Sequence, residues 1–420
     1  VIQKLMARRS VLSVLLEAAA CVPLILLACV ARCCPKPIDV GIGPEPLINN
    51  VYHQKALQRL GYRVESFVMG TYFITDAFDV NLAKKRCDVL PAVWRPLWLF
   101  VRAMFHYKAL FLYFNGGPLF YTNILGPLEP FLLKLAGVKV VVMPYGSDVQ
   151  DMRRSKNLYF RHVTMLDYPQ QFRQFPTVAR NIDRWTRHAD WVISGVEWVD
   201  YMPHWHTLML GHFSIDTESV KPSADSRRPE ADGDRPFRIL HAPNHKAIKG
   251  TQALLNAIDQ LQAEGLNLEL VLLQGVPNHQ IHQAIESVDL VADQFVVGWY
   301  AMFAIEAMAL EKPVLCYLRE DLLTFYQQAG LLAAEEMPLI NTPILELADR
   351  IRWAYHHREA LTAHGRRGRT FVEAHHSLAS VGAVFDSILA SVGVLPSQPR
   401  ASEIGVAPTR VAAEAPVPTA

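Results

Sequence analysis

The sequence is poor in cysteine, has almost no excess charge of either sign, and has a single long apolar run. Its six cysteines are Cys21, Cys29, Cys33, Cys34, Cys87 and Cys316. That scatter gives neither a disulfide framework nor a zinc spacing, and it fits a reducing compartment. Lys plus Arg number 41 against 40 for Asp plus Glu, so the electrostatics point to no nucleic-acid partner. A nucleophile elbow, a P-loop and a Gly-x-Gly-x-x-Gly fingerprint are all missing. His279 and His282 share a predicted helix face with Glu286. No further ligands join them, so neither a metal nor a cofactor is expected.

The apolar run is at the front. Lys4, Arg8 and Arg9 precede Val11 to Val30, and Arg32 follows. The run has bilayer length but carries Glu17 and Pro23, and no small-residue cleavage site stands out. It is open to three descriptions: a spanning helix, an interfacial helix, or a helix packed on the protein. The positive residues ahead of it would hold the N-terminus inside and place the rest outside. That placement conflicts with reduced cysteines. An in-plane or re-entrant helix over 1–36 on the cytoplasmic face is therefore preferred, with the remainder cytoplasmic.

At 420 residues the chain exceeds one ordinary core, and two domains are expected. From residue 37, short apolar strands alternate with helices. Strands are predicted at 38–44, 62–69, 109–117, 138–148 and 191–195, with helices at 46–61, 90–105, 127–136 and 176–189. A polar stretch, TESVKPSADSRRPEADGDRP (217–236), reads as a linker. The alternation then resumes with strands at 237–243, 268–275, 288–294 and 313–318. Helices are predicted at 249–264 and 278–286, another opens at Gly298, and 343–391 is largely helical. The Ala/Pro-rich tail over 395–420 is expected to be disordered. Continuous apolar strands between helices mean parallel sheets covered on both faces. The expected fold is α/β: two doubly wound Rossmann-like domains, 37–216 and 237–394, facing a central cleft. Ligands in such sheets bind beyond the carboxyl ends of the strands.

Two stretches carry the chemistry. HAPNHKAIKGT (241–251) leaves a strand and enters a helix, bringing Lys246 and Lys249 with Gly250 to the helix start. Unpaired N–H groups, a positive dipole end and two ammonium groups suit a diphosphate; a solvated basic turn is the alternative. GWYAMFAIEAMALEKPVLCYL (298–318) is an almost wholly apolar helix followed by a strand, with Glu306 inside the helix. A buried carboxylate needs donors: a structural ion pair, or the vicinal hydroxyls of a ribose.

With LLQGVPN and DQFVVGWYAMFAIEAMALEKPV, these stretches resemble the GT-B glycosyltransferases, in particular the retaining family-4 type. The resemblance covers about 240–320 well and the first domain more loosely. It implies that Lys246 and Lys249-Gly250 grip a donor diphosphate and that Glu306 contacts the nucleotide ribose. It also implies that Gly275, Val276, Gly298, Trp299, Tyr300 and Ala301 line the donor site. The sequence departs from the family at Gly298, which stands where a sugar-contacting glutamate is usual. Trp299 and Ala301 stand where glycines are common. Asp293 and Gln294 lie nearby as candidate substitutes. In the first domain, GIGPEPLINN (41–50) occupies the place of the family's glycine loop, so Gly43, Asn49, Asn50 and His53 are acceptor-side candidates. The alternative makes the last three caps and a polar helix face. Gly146 and Asp148 follow a buried strand and are expected at the cleft, unless Asp148 caps the next segment.

The resemblance implies transfer of a sugar from a nucleotide-sugar donor to an acceptor with retention, by a hexosyltransferase; the N-terminal apolar helix adds peripheral contact with a membrane and a glycan or lipid-linked acceptor as expectations. The aromatic and basic stretch 95–114 favours that contact or is ordinary core. Two alternatives remain: a catalytically silent GT-B-like binding protein, motivated by Gly298, and a nucleotide-sugar epimerase.

Overall fold

The computed structural model describes residues 11–71, 76–83, 94–223 and 235–400. The middle of the expected linker, the tail past residue 400 and the first residues of the helix predicted at 90–105 lie outside these.

The described residues open with helix α1 (Val11–Cys33). There follow β1 (Ile38–Ile42), α2 (Ile48–Arg59), β2 (Val64–Val68), β3 (Val80–Asn81), α3 (Trp94–His106) and β4 (Tyr107–Leu112). Next come α4 (Leu125–Leu135), β5 (Lys139–Val142), α5 (Leu158–Asp167), α6 (Phe175–His188), β6 (Trp191–Gly195) and β7 (Thr207–Met209). The second half has β8 (Phe237–His241), α7 (Lys246–Lys249), α8 (Thr251–Ala263), β9 (Leu268–Leu272), α9 (Asn278–Glu286) and β10 (Leu290–Ala292). It ends with α10 (Met302–Ala309), β11 (Val314–Cys316), α11 (Glu320–Gln328), β12 (Ile340–Asn341), α12 (Leu347–His356), α13 (Arg358–His375) and α14 (Leu378–Ser391).

Two parallel sheets result, ordered β3-β2-β1-β4-β5-β6-β7 and β12-β11-β10-β8-β9. Each reverses its strand order once: between β1 and β4 in the first, and between β8 and β10 in the second. Crevices at such reversals are where doubly wound sheets bind ligands. Along β4 and β5, Leu110, Leu112, Val140 and Val142 join the core under α1, α3, α4 and α6. Ala109, Phe111 and Val141 join the opposite core, under α2 and α14. This two-faced burial is what the continuous apolar strands required.

Three expectations change. First, helix α14, expected in the second domain, packs on the first: Val381, Phe385, Ile388 and Leu389 are buried with Val40, Ile42 and Phe111. Tyr62 on the first domain also donates its hydroxyl to Asp386 at 2.7 Å. Periodicity shows an apolar face but not which core receives it. Second, the start of the expected disordered tail is tied down. Gln398 N–H donates to Gly61 O at 3.0 Å, and Arg400 pairs with Asp386 at 2.8 Å. Third, the helix expected from Gly298 begins at Met302, with Gly298 at φ 92°.

Helix α1 lies on the first domain beside α3 and α4. Leu24, Ala28 and Ala31, spaced as one helical stripe, are buried. Glu17 accepts from Asn123 N–H and Ile124 N–H at 2.8 and 2.7 Å, just ahead of α4. Lys36 donates to Ala31 O and Ala136 O, both at 3.0 Å, at the far ends of α1 and α4. An acid thus sits at the start of α4 and a base at its end, each satisfying orphan backbone groups and complementing the helix dipole.

Candidate functional site

The site forms at the second sheet's reversal point. Strand β8 runs into the lysine-bearing turn, and the adjacent β10 runs into the loop that enters α10. His241, the last residue of β8, ties both together: its ring nitrogens meet Ala292 O at 2.7 Å and Thr251 Oγ1 at 2.9 Å. Burial pushes the His241 imidazole down to about 4, so it is neutral at physiological pH.

Lys246 and Lys249 do not open the long helix. They form the short α7, which Gly250 separates from α8 in a left-handed conformation at φ 75°. Lys246 is exposed. Lys249 is largely buried and donates to Asp293 Oδ1 at 2.6 Å, while its carbonyl accepts Phe295 N–H at 3.3 Å. The lysine turn is therefore fastened to the loop after β10. Asp293 pairs with a cation, so it does not stand free as a substitute for a missing glutamate. Gln294 is also engaged, its side-chain amide donating to Trp299 O.

Glu306 is buried in α10, as the apolar helix required, and its partner is not an arginine. Asn278, the first residue of α9, donates Nδ2 to Glu306 Oε1 at 2.7 Å. His282 Nε2 lies 3.5 Å from the same oxygen, in ionic range but without hydrogen-bond geometry. From the first domain, Tyr52 on α2 comes within electrostatic reach: burial, then Glu306 and Asp216, raise its hydroxyl pKa. The loops after β8, β9 and β10 thus converge on one edge that faces α2. Gly275, exposed, and Val276, half-buried, belong to the middle one of these.

Trp299 and Tyr300 engage the polar atoms of their side chains inside the protein. Trp299 Nε1 donates to Leu210 O at 2.9 Å, and Tyr300 OH meets His376 Nε2 at 2.9 Å. Both are core residues joining the two domains, which leaves their backbone and that of Ala301 at the entry to α10. Gly298 has a local physical cause. A Cβ there would sit 2.5 Å from Arg319 Cγ and 2.6 Å from Cδ. That arginine stem is held at its far end, where the guanidinium pairs with Asp200 at 2.7 Å and Asp321 at 2.6 Å.

The first sheet's reversal point carries a second polar cluster. Asn115, after β4, donates to Glu45 Oε1 at 2.9 Å and to Tyr145 OH at 2.8 Å. Burial raises the Glu45 pKa, against the Asn115 hydrogen bond. The acceptor-side candidates take structural places. Asn50 donates to Glu45 O at 2.6 Å and accepts from Tyr113 OH at 2.5 Å. Asn49 Oδ1 accepts from Ser214 N–H at 3.2 Å, and His53 Nε2 meets His212 O at 2.7 Å. A Cβ at Gly43 would meet Phe67 O at 2.1 Å, so this loop needs glycine to pass the neighbouring strand. Asp148 is buried and accepts from Tyr145 N–H, Gly146 N–H and Phe114 N–H at 2.9 to 3.0 Å. Burial nevertheless raises its pKa to about 7. Gly146 contributes its backbone to that loop.

Sequence reasoning missed Asn278, Tyr52, Glu45 and Asn115. Asn278 had a signal: it closes LLQGVPN, one of the stretches carrying the resemblance. It missed Asp167 as well. This residue ends α5 in the first domain, and its Oδ2 accepts Ile248 N–H at 3.1 Å within the lysine turn. Next to it, Tyr168 OH bonds His245 Nδ1.

No family model matches the sequence, and no curated protein is similar to it. Solved structures do match. A sucrose-phosphate synthase from Thermosynechococcus elongatus superposes with TM-score 0.58 at 14% identity, covering 85% of this chain and 99% of that one. HepE from Anabaena, in complex with UDP-glucose, superposes at 0.53 and 13% identity, covering 84% and 99%. The UDP complex of HepE gives 0.54 at 13% identity, covering 85% and 100%. These likenesses show the architecture: the chain has the GT-B fold, two Rossmann-like domains preceded by an apolar helix.

Proposed function

We propose that this protein is a glycosyltransferase that moves a sugar from a nucleotide-sugar donor to a glycan or lipid-linked acceptor, with retention at the anomeric carbon. One observation carries the proposal. At the reversal point of the second sheet, the lysine turn after β8 and a buried carboxylate in the helix that follows β10, held by an amide and not by an arginine or lysine, lie beyond adjacent strand ends. Diphosphate binds the lysine turn, with Lys246 and Lys249 stabilising charge that builds on the departing phosphate oxygen. Glu306 accepts from the ribose hydroxyls, with Asn278 fixing its orientation. The departing diphosphate oxygen takes the acceptor's proton, so no protein base is named. Closure around the donor excludes water and limits hydrolysis. The HepE–UDP-glucose complex makes UDP-glucose the first donor to try. Retention rests on the sequence resemblance alone, and the acceptor class on the N-terminal apolar helix and the aromatic, basic stretch 95–114.

A second reading is a silent donor-binding protein. It is favoured by Asp293 neutralising Lys249 and by the absence of a carboxylate at Gly298. Release of UDP from UDP-glucose by the purified protein separates the two. Turnover that falls at least about tenfold in Lys246→Met, in line with loss of a transition-state contact, supports transfer. Tight UDP binding with no turnover on any sugar donor supports the silent reading. The anomeric configuration of the product, read by NMR, tests retention.

A further inference from the structure

We infer that the face formed by α1, α3 and α4 is a docking surface for an anionic bilayer, on which α1 lies in the plane of the membrane and does not cross it. The inference stands apart from the glycosyl-transfer proposal and survives its failure.

Two observations exclude a spanning α1 in this fold. Glu17 holds one end of α1 to the start of α4, and Lys36 holds the other to its end. A helix fastened along a neighbour at both ends cannot stand across a bilayer without breaking both clamps. Crossing would also carry Glu17 into hydrocarbon.

Two further observations select a lipid surface as the occupant. The outward side of α1 is apolar without interruption: Leu15, Val22, Leu26 and Val30 are 55–64% exposed. Trp94 and Trp98 on α3 and Phe131 on α4 are also exposed, and tryptophan at a helix surface suits the headgroup layer. The charges are one-sided. Among these three helices the only carboxylates are Glu17 and Glu129. Both accept backbone N–H groups of the protein itself. Arg32 and Lys134 are exposed. Among the described residues of these three helices the outward charges are cations, which complement anionic headgroups. Against a second copy of itself this face would set like charge against like.

The test is flotation of the full chain with vesicles of phosphatidylcholine alone or with phosphatidylglycerol. The protein is expected to float with the anionic vesicles and to be released by high salt. Val22→Glu/Leu26→Glu is expected to weaken binding by at least about tenfold, since two exposed apolar contacts are lost. Both positions are exposed, and an unchanged thermal melt shows that the variant folds. Protease digestion of an N-terminal epitope on inverted membrane vesicles completes the test: epitope and domains are expected to be cut from the same side. Failure to float, a lipid-free dimer that buries this face, or an epitope protected in the lumen would each overturn the inference.

Discussion

Placing at position 298 the glutamate that the sequence resemblance leads one to expect should break this protein, not improve it. Gly298 has φ 92°, a conformation that costs a residue with a side chain about 1–2 kcal/mol. Its Cβ would also meet Arg319 Cγ at 2.5 Å. The arginine cannot simply step aside, because its side chain is 6% exposed and its Asp200 partner 1%. Breaking a buried pair of that kind costs roughly 3–5 kcal/mol. The sum is about 4–7 kcal/mol, a large part of the 5–15 kcal/mol that a native domain typically has. Gly298→Ala isolates the Cβ, and Gly298→Glu adds the carboxylate. Both should lower the apparent melting temperature by about 8 °C or more, and neither should raise turnover. A double-mutant cycle locates the cause. In an Arg319→Ala background, where the stem is gone, Gly298→Ala should cost only the backbone portion, about 1–2 kcal/mol. If the two substitutions are additive, the clash is not the reason for the glycine. A stable Gly298→Glu with increased activity would refute the explanation altogether.

Three other outcomes follow from named contacts. Asp167 occupies an N–H of the lysine turn that a diphosphate would use, so Asp167→Ala should tighten UDP binding by about two- to fivefold, the scale of a half-exposed charge contact; calorimetry reads this directly. Glu129 is buried, and burial raises its carboxyl to about 8 from 4.5 against two backbone hydrogen bonds. A raised folded-state pKa gives stability that is present below the unfolded value and lost as pH rises through the folded one. Urea midpoints should therefore fall between pH 7.5 and 9 by the equivalent of about 1 kcal/mol, and the fall should be shallower in Glu129→Gln. The buried histidines His53, His212, His241 and His376 have depressed pKa values. Unfolded histidines titrate near 6.5, so these four are neutral in folded and unfolded chains at about pH 7.5 and above and oppose the trend only below that window. Trp299→Phe removes the Nε1 donor to Leu210 O and should destabilise the junction of the two domains by about 1 kcal/mol, seen as a lower melting temperature.

The sequence was most informative where a local rule settles the outcome. The alternating apolar runs showed two parallel sheets because buried strands have few other patterns. The helix over 278–286 coincides with α9 because its turn signals lie next to it. Glu306 was recognisable as a carboxylate in an apolar helix, and the structure leaves it with an amide partner. Long-range decisions were not legible. Nothing local in LASVGAVFDSILAS says that α14 returns to the first sheet. Nothing near Lys249 says that Asp293 meets it, although both residues were noted. Asn49, Asn50, His53 and Asp148 look alike as ligands or as braces, because a polar side chain after a buried strand serves either end. Their partners, Ser214, Tyr113, His212 and Phe114, are distant in sequence. Glu17 stands out in the sequence as a charge in a run of bilayer length, and its use as the cap of α4 depends on a contact over a hundred residues away.

The central claim is that Glu306 holds a nucleotide's ribose, and one calorimetric cycle tests it. UDP and its 2′,3′-dideoxy form are titrated into the wild type and Glu306→Gln. Hydrogen bonds from two hydroxyls to a carboxylate predict that Glu306→Gln weakens UDP by at least about tenfold, or roughly 1.4 kcal/mol. The same substitution should leave the dideoxy nucleotide nearly unaffected. Equal losses for both ligands, or no loss for UDP, would contradict it.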